Sequence, residues 1–231
     1  MRMTSIHKKN NAISPVKANR LYWMGRYAQR VYLTLHILRK HYDSMIDEDF
    51  DAYKSYCIKM GISDKYTSCE DFVEKYLFME DNPDSVINML ERLNDNAILL
   101  REEITSETLS YIHLAINAMK SFDKNKQGIE GFQFITDWIL AFWGSADERI
   151  CDPSVRKTIF FGKFVESSDM LIRFEYPLDR LIGLCGRIKE CLQGGFEMYD
   201  EAQLKAFEGQ LYIDTYKSSK SLAYLNAIFT A

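Results

Sequence analysis

A chain of 231 residues, 47% of them apolar, can bury one sizeable core. Asp and Glu (33) outnumber Lys and Arg (29), and the resulting net charge of −4 argues against non-specific binding to nucleic acid or to an anionic lipid surface. The five cysteines, Cys57, Cys69, Cys151, Cys185 and Cys191, form no CxxC pair, no leader-like segment precedes them, and no apolar run approaches the roughly 20 residues that a bilayer demands, so a soluble protein in a reduced, cytoplasmic compartment is expected.

Residues 1–13 are polar and are expected to form a disordered tail; residues 14–231 are expected to form a single domain. Three of the four prolines, Pro15, Pro83 and Pro153, follow Ser14, Asn82 and Asp152, so each reads as a capping residue with proline at the first helical position. The first of these helices carries Leu21, Met24, Ala28, Val31, Leu35, Leu38, Tyr42 and Met45 at spacings of three and four, which gathers them onto one helical face. Two shorter helices, over 50–60 and 70–78, are predicted next. Gly61 ends the first of them, Thr67 or Ser68 caps the second, and together they form an insert (49–79) over one end of the bundle.

The second long helix repeats the pattern with Val86, Leu90, Leu93, Ala97, Leu100 and Ile104. Thr105 or Ser106 caps the one after it, with Leu109, Ile112, Ile116 and Met119 on one face, and the polar run Asp123 to Gln127 breaks it. A helix over 129–150 is apolar on much of its circumference and is expected to be the most buried. Asp152-Pro153 opens another helix, which Tyr176-Pro177 interrupts. Leu178, Leu181, Cys185, Ile188 and Leu192 mark a further one stopped at Gly194-Gly195, and a last helix runs from about Glu201 towards the C-terminus. No stretch alternates in strand fashion, so the predicted fold is an all-α, single-domain bundle of about nine helices.

One segment occurs twice. Trp23-Met24-Gly25-Arg26-Tyr27-Ala28-Gln29-Arg30 and Phe160-Phe161-Gly162-Lys163-Phe164-Val165-Glu166-Ser167 each place two bulky apolar residues before Gly, a cation and an aromatic. Glycine inside a helix costs about 1 kcal/mol against alanine, and close approach of a second helix would supply the reason for it. Arg26 and Arg30 share a face, so packing the two copies together would turn them towards Glu166 and Asp169. Charges buried in this way persist only when they are paired or hold a ligand.

The first copy is similar to the opening helix of the alpha-E domain family, a group of bacterial helical proteins whose motif reads close to R-L-Y-W-x-G-R-Y-x-E-R. Residues Arg20 to Arg30 follow that motif with Gln29 in place of the acid. Asn82-Pro83-Asp84-Ser85, Asp95-Asn96-Ala97-Ile98 and Arg101 to Glu107 resemble a second family stretch, with Ile98 in place of an Arg. Gly162 to Asp169, continuing to Arg173, resembles a later G-R-x-x-E-R-x-D helix, with Lys163 and Ser167 in place of its two arginines. The resemblance extends from about Ala18 to at least Arg180. It implies a helical protein that partners an ATP-grasp amide ligase and a transglutaminase-like protein, with Arg26, Arg30, Asn96, Arg101, Lys163, Glu166, Asp169 and Arg173 as the candidate polar cluster. Arginines in such a cluster would hold a carboxylate or phosphate through forked hydrogen bonds, and the other outcome is a satisfied ion-pair network that fixes register.

Other chemistry finds little support. None of His7, His36, His41 and His113 has a Glu three residues before it, which a di-iron bundle requires, and zinc spacing is absent, so neither a metal nor another cofactor is expected. No P-loop, GxSxG or HExxH motif occurs. Cys185 and Cys191 lie on an apolar helical face and read as core residues. Tyr22, Trp23 and Tyr27 read as core aromatics rather than as a binding wall. Tyr53, Tyr56, Tyr66 and Tyr76 alternate with lysines, but acidic neighbours cancel that charge, so the insert reads as a solvated surface for a protein partner. The implied role is an accessory subunit of an ATP-grasp amide (peptide) ligase system that helps to bind a peptide or amino-acid substrate. Two alternatives stand beside it: an enzyme acting on amides through Arg26, Arg30, Glu166 and Asp169, and a pure assembly scaffold. A homo-oligomer is compatible with either.

Overall fold

The computed structural model describes residues 13–47, 51–122, 129–193, 197–213 and 216–231. The expectations for residues 1–12, for Tyr42, Met45, His7 and His41, for Asp123 to Gln127 and for Gly194-Gly195 lie outside what is described. Ten α-helices occur among the described residues: α1 (Pro15–Asp47), α2 (Ala52–Met60), α3 (Cys69–Phe78), α4 (Val86–Leu99), α5 (Ser106–Lys120), α6 (Phe132–Arg149), α7 (Pro153–Arg173), α8 (Leu178–Leu192), α9 (Glu201–Gln210) and α10 (Ser218–Asn226). A single turn of 3₁₀-helix, Ile129–Gly131, leads into α6, and the described residues contain no strand beyond one bridge between Tyr199 and Phe229.

Most helix starts are set by side chains that satisfy the orphan N–H groups of the first turn. Ser14, Ser68, Thr105 and Asp152 accept from the backbone N–H groups of Lys17 (3.3 Å), Asp71 (3.2 Å), Thr108 (3.2 Å) and Ser154 (2.8 Å). Pro83 departs from expectation. Ser85, not Asn82, caps α4, accepting from Asn88 N–H at 3.3 Å. Asn82 is buried instead, and its amide donates to the Tyr66 hydroxyl and the Lys75 carbonyl (both 3.2 Å) and accepts from Lys65 Nζ (3.0 Å), which knits the loop before α4 to the insert. The segment after Glu201 is likewise two helices, α9 and α10, rather than one.

The bundle is organised on α1 and α7, which run against each other, with α4 and α6 flanking α1 and α5 bridging these two. On the far side, α8 and α10 lie on α7, and α9 packs on α10. Two apolar layers result. The larger holds Leu21, Met24, Leu35 and Leu38 of α1 with Leu90, Leu93, Ile112, Ile139 and Ile159, and the smaller holds Tyr22, Phe161, Val165 and Ile172 with Leu181, Cys185, Ile188, Phe207 and Leu225. Helix α7 faces both layers and is the most enclosed. The expectation that α6 would be central is corrected: Phe134 (62% exposed) and Leu140 (47%) look outward, because a single apolar layer covers only one side of that helix. The insert tyrosines are also corrected. Tyr53, Tyr56, Tyr66 and Tyr76 are buried against Phe72, the rings of Phe72 and Tyr76 stacking at 5.1 Å, because α2 and α3 are too short to bury a core of their own and extend the main one.

At the α1/α7 crossing the two repeated glycines meet the opposite backbone. A Cβ on Gly25 would fall on the Ile159 carbonyl oxygen and 3.1 Å from the Lys163 nitrogen, and one on Gly162 would fall on the Tyr22 carbonyl oxygen and 3.1 Å from the Arg26 nitrogen. Each glycine therefore sees the carbonyl three residues before the other and the nitrogen one residue after it, a reciprocity that places a local twofold axis between the two copies. No rotamer change relieves a clash with backbone. Gly25→Ala or Gly162→Ala is expected to lower stability by about 3 kcal/mol or to prevent folding, whereas Gly183→Ala, with open space around the added methyl, is expected to gain about 1 kcal/mol; urea unfolding of the three variants checks both signs.

Candidate functional site

The close crossing presses the residues that follow each glycine into the helix interface, and on one side of the axis these residues are charged. Arg26 donates from Nε to Glu166 Oε2 at 2.7 Å, and Arg30 donates from Nε to Glu166 Oε1, so both oxygens of one carboxylate are occupied by two arginines a turn apart. Asp169, one turn further along α7, takes Arg173 Nε on Oδ1 and lies 3.6 Å from Arg26 Nη2 and 3.9 Å from Arg30 Nη2. Arg26, Glu166 and Asp169 are 6%, 1% and 1% exposed. Arg173 reaches on to donate to the Lys59 carbonyl at 3.0 Å, which ties the C-terminal end of α2 to α7.

A residue that sequence spacing did not signal completes the cluster. Asn226, at the last position of α10, accepts from Arg26 Nη1 at 2.9 Å and donates to Asp169 Oδ2 at 3.1 Å, so one amide bridges a cation and an anion from the two repeats. Arg26 also lies over the rings of Trp23 (5.1 Å) and Tyr22 (5.8 Å). Tyr22 belongs to the smaller core layer as expected, whereas the expectation that Trp23 is a core aromatic is corrected: it is 37% exposed, because it lies at the rim of the α1/α7 contact.

The electrostatics are those of mutual neutralisation. Burial would raise the Asp169 carboxyl, but the hydrogen bond and charge of Arg173, with the charges of Arg26 and Arg30, hold it below the ordinary value. Burial alone would weaken the guanidiniums, and the Glu166 charge outweighs it, so Arg26 and Arg30 are held more firmly protonated than usual. Burial raises the Tyr22 phenol.

Five of the eight residues singled out from sequence therefore come together: Arg26, Arg30, Glu166, Asp169 and Arg173. Three do not. Arg101 is exposed in the turn after α4, and Asn96 is half-buried one turn earlier. Neither makes a side-chain hydrogen bond or ion pair among the described residues; the ion pair of Lys17 with Glu103 ties that turn to the start of α1, about two and a half turns before Arg26. Lys163 sits across the local axis, its Nζ 4.2 Å from the centre of the Trp143 ring and 5.1 Å from that of Phe160. Among the described residues no group of three or more His, Cys, Asp or Glu side chains has the arrangement of a metal site. Cys185 and Cys191 are buried, and burial pushes both thiols up to about 11, as expected of core residues.

This architecture defines a class, an all-helical domain whose centre is a duplicated helix pair crossed at glycine and locked by an internal ion-pair cluster. A family model, Alpha-E, described as a predicted alpha-helical domain with a conserved ER motif, matches residues 16–182, and the chain belongs to that family. Comparison with curated proteins and with solved structures returned no match. At the two places where the resemblance puts Glu-Arg, this chain has Gln29-Arg30 and Glu166-Ser167. Each copy keeps one half of the dipeptide, and the retained halves, Arg30 and Glu166, pair with each other across the crossing. Asn226 lies beyond the matched residues, so the cluster draws one of its ligating groups from outside the family's span.

Two measurements test the cluster. Glu166→Gln strands two guanidiniums and is expected to lower stability by about 3–5 kcal/mol, whereas the double replacement Arg26→Met with Glu166→Leu should lose less than Glu166→Gln alone; a double-variant loss equal to the summed single losses would refute the coupling. Because the folded Asp169 titrates below its unfolded value, its contribution is present above about pH 4 and is lost as pH falls through the folded value. The slope of stability against pH in that acid window is expected to be shallower in Asp169→Asn than in the wild type.

Proposed function

We propose that this chain is a non-catalytic accessory subunit of an ATP-grasp amide ligase system, supplying a docking domain whose central charged cluster takes no part in the chemistry. The observation that carries the reading is the enclosure of Glu166, the best-placed carboxylate for a general base, whose two oxygens are both spent on arginines and which is 1% exposed. Asp169 is equally enclosed, and its depressed basicity is the opposite of what base catalysis near neutrality needs. Such a network is what an assembly scaffold calls for, and it favours docking over a substrate-holding role for these arginines. The identity of the partner comes from the family resemblance, as does the link to peptide or amino-acid ligation.

The test is co-expression of the chain with an ATP-grasp ligase of the kind the family resemblance implies, taken from the same source. Co-purification, with ligase turnover raised several-fold in the complex, is the expected result. The Arg26→Met/Glu166→Leu variant, once shown by circular dichroism to be folded, should bind and stimulate as the wild type does. Absence of association and of any change in turnover would end the accessory reading. Amide-bond chemistry by the isolated chain, abolished in that folded variant, would replace it with an enzyme.

A further inference from the structure

The local twofold axis gives the charged cluster a counterpart, and the counterpart is unequal. The reciprocal glycine contacts pair Arg26 with Lys163, Arg30 with Ser167 and Glu166 with Gln29. Where Glu166 neutralises two arginines, Gln29 offers an amide of nearly the same shape and no charge. The substitution removes an anion without opening a space, so its consequence is electrostatic rather than steric. Gln29 is 6% exposed and its Oε1 has no hydrogen-bond partner in the structure; the Ser167 hydroxyl is turned back to the Lys163 carbonyl at 2.9 Å. Lys163 itself has no carboxylate within ion-pair distance among the described residues. Its amine rests on the faces of Trp143 and Phe160, and the indole Nε1 of Trp143 is a second buried polar atom without a partner.

We propose that Lys163 is a nucleophilic amine and a site of covalent acylation, taking an acyl group from an activated acyl donor such as an acyl phosphate. An amine becomes nucleophilic when it is held on an apolar surface without a counter-ion, because the neutral form is then the cheaper one to keep there. The rings of Trp143 and Phe160 and the charge of Asp147 favour the ammonium, and burial outweighs them. On α1 the position that the local axis equates with Glu166 is the neutral Gln29. From α6 come Trp143 and an exposed Asp147, which lies 3.9 Å from Arg156. From α8 comes Arg187, whose like charge opposes protonation and which is 3.5 Å from Glu190. Burial, with Arg187 assisting and Asp147 opposing, pushes the Lys163 amine down to about 8. In the reaction the nitrogen lone pair of neutral Lys163 attacks the acyl carbon and a C–N bond forms. The C–O bond to phosphate breaks, phosphate leaves with the electron pair, and the amine proton passes to water.

The experiment uses the purified full chain and acetyl phosphate as the probe, with acetylation rates at each lysine read by mass spectrometry from about pH 6.5 to 10.5. At neutral pH, Lys163 is expected to react roughly tenfold or more faster than the median lysine, with half-maximal rate near pH 8. Wild-type protein alone decides the matter: labelling of Lys163 at or below the median throughout the range overturns the proposal. Gln29→Glu tests the cause. By supplying the missing anion it is expected to slow Lys163 at neutral pH by about tenfold and to move its half-maximal rate upward by about one pH unit or more. An unchanged profile in a folded Gln29→Glu protein would overturn the electrostatic account. Should that variant not fold, direct titration of the Lys163 ammonium by NMR in the wild type takes its place, and an ordinary value near 10.4 would be equally fatal.

Discussion

The contact on which the rest of the structure depends is the backbone-to-backbone crossing of α1 and α7 at Gly25 and Gly162. Two helices that lack Cβ atoms at the point of contact approach closer than side chains normally permit, and the positions one, four and five residues beyond each glycine are driven into the interface. Helical glycine is unfavourable by about 1 kcal/mol at each position, and close van der Waals packing over a 33-residue and a 21-residue helix offsets it. Once the crossing is set, whatever occupies those positions must be apolar, paired or tolerated at a cost. Arg26, Arg30 and Glu166 are paired. Lys163 and Gln29 are the tolerated ones.

An ion-pair cluster at such a crossing is weak evidence for stability, since desolvating five charged groups offsets much of their mutual attraction. Its physical contribution is register. Sliding α7 by one turn along α1 would break the seating of Glu166 on both arginines at once and leave part of the cluster without a partner in a buried layer, a larger penalty than the slip would carry in a purely aliphatic interface. One such lock suffices for a helix pair. The opposite side of the axis, where Gln29, Lys163 and Ser167 stand, is thus free of that structural duty, and the charge left there has no structural counterweight.

Much of this was legible in the residues. Helical periodicity, the caps at Ser14, Ser68, Thr105 and Asp152, and the glycine repeat are local signals, and local signals survive folding when nothing in the tertiary structure opposes them. The pairing of Arg26 and Arg30 with Glu166 and Asp169 could be read because both helices carry the same pattern, so proximity followed from one assumption about the crossing. Where reasoning missed, the deciding contact was non-local. Pro83 suits a first-turn position, but Asn82 is claimed by Tyr66, Lys75 and Lys65 from the insert, and the helix waits for Ser85. The tyrosines of the insert look half-polar in sequence because lysines flank them, yet their rings pack around Phe72, while Lys65 and Lys75 are held by Asn82 and Asp71. Asn226 has no periodic or compositional mark at all.

That last residue connects the two halves of the molecule in energetic terms. The smaller apolar layer touches the larger one chiefly through α1 and α7, and α10 closes it by laying Leu225 inside and Asn226 against the charged cluster. Phe229 stacks on Tyr22 with ring centres 4.0 Å apart, and Asp200 N–H donates to the Ile228 carbonyl at 2.8 Å, so the chain beyond α10 is held both to α1 and to the start of α9. Releasing α10 would uncover Tyr22 and remove the amide that Arg26 Nη1 and Asp169 Oδ2 share. The guanidinium would then be short of an acceptor in a place where water has limited access, a deficit that couples opening of the C-terminal layer to weakening of the central lock. The C-terminal helices are therefore part of the same cooperative unit as the glycine crossing, although they lie beyond the span that matches the family.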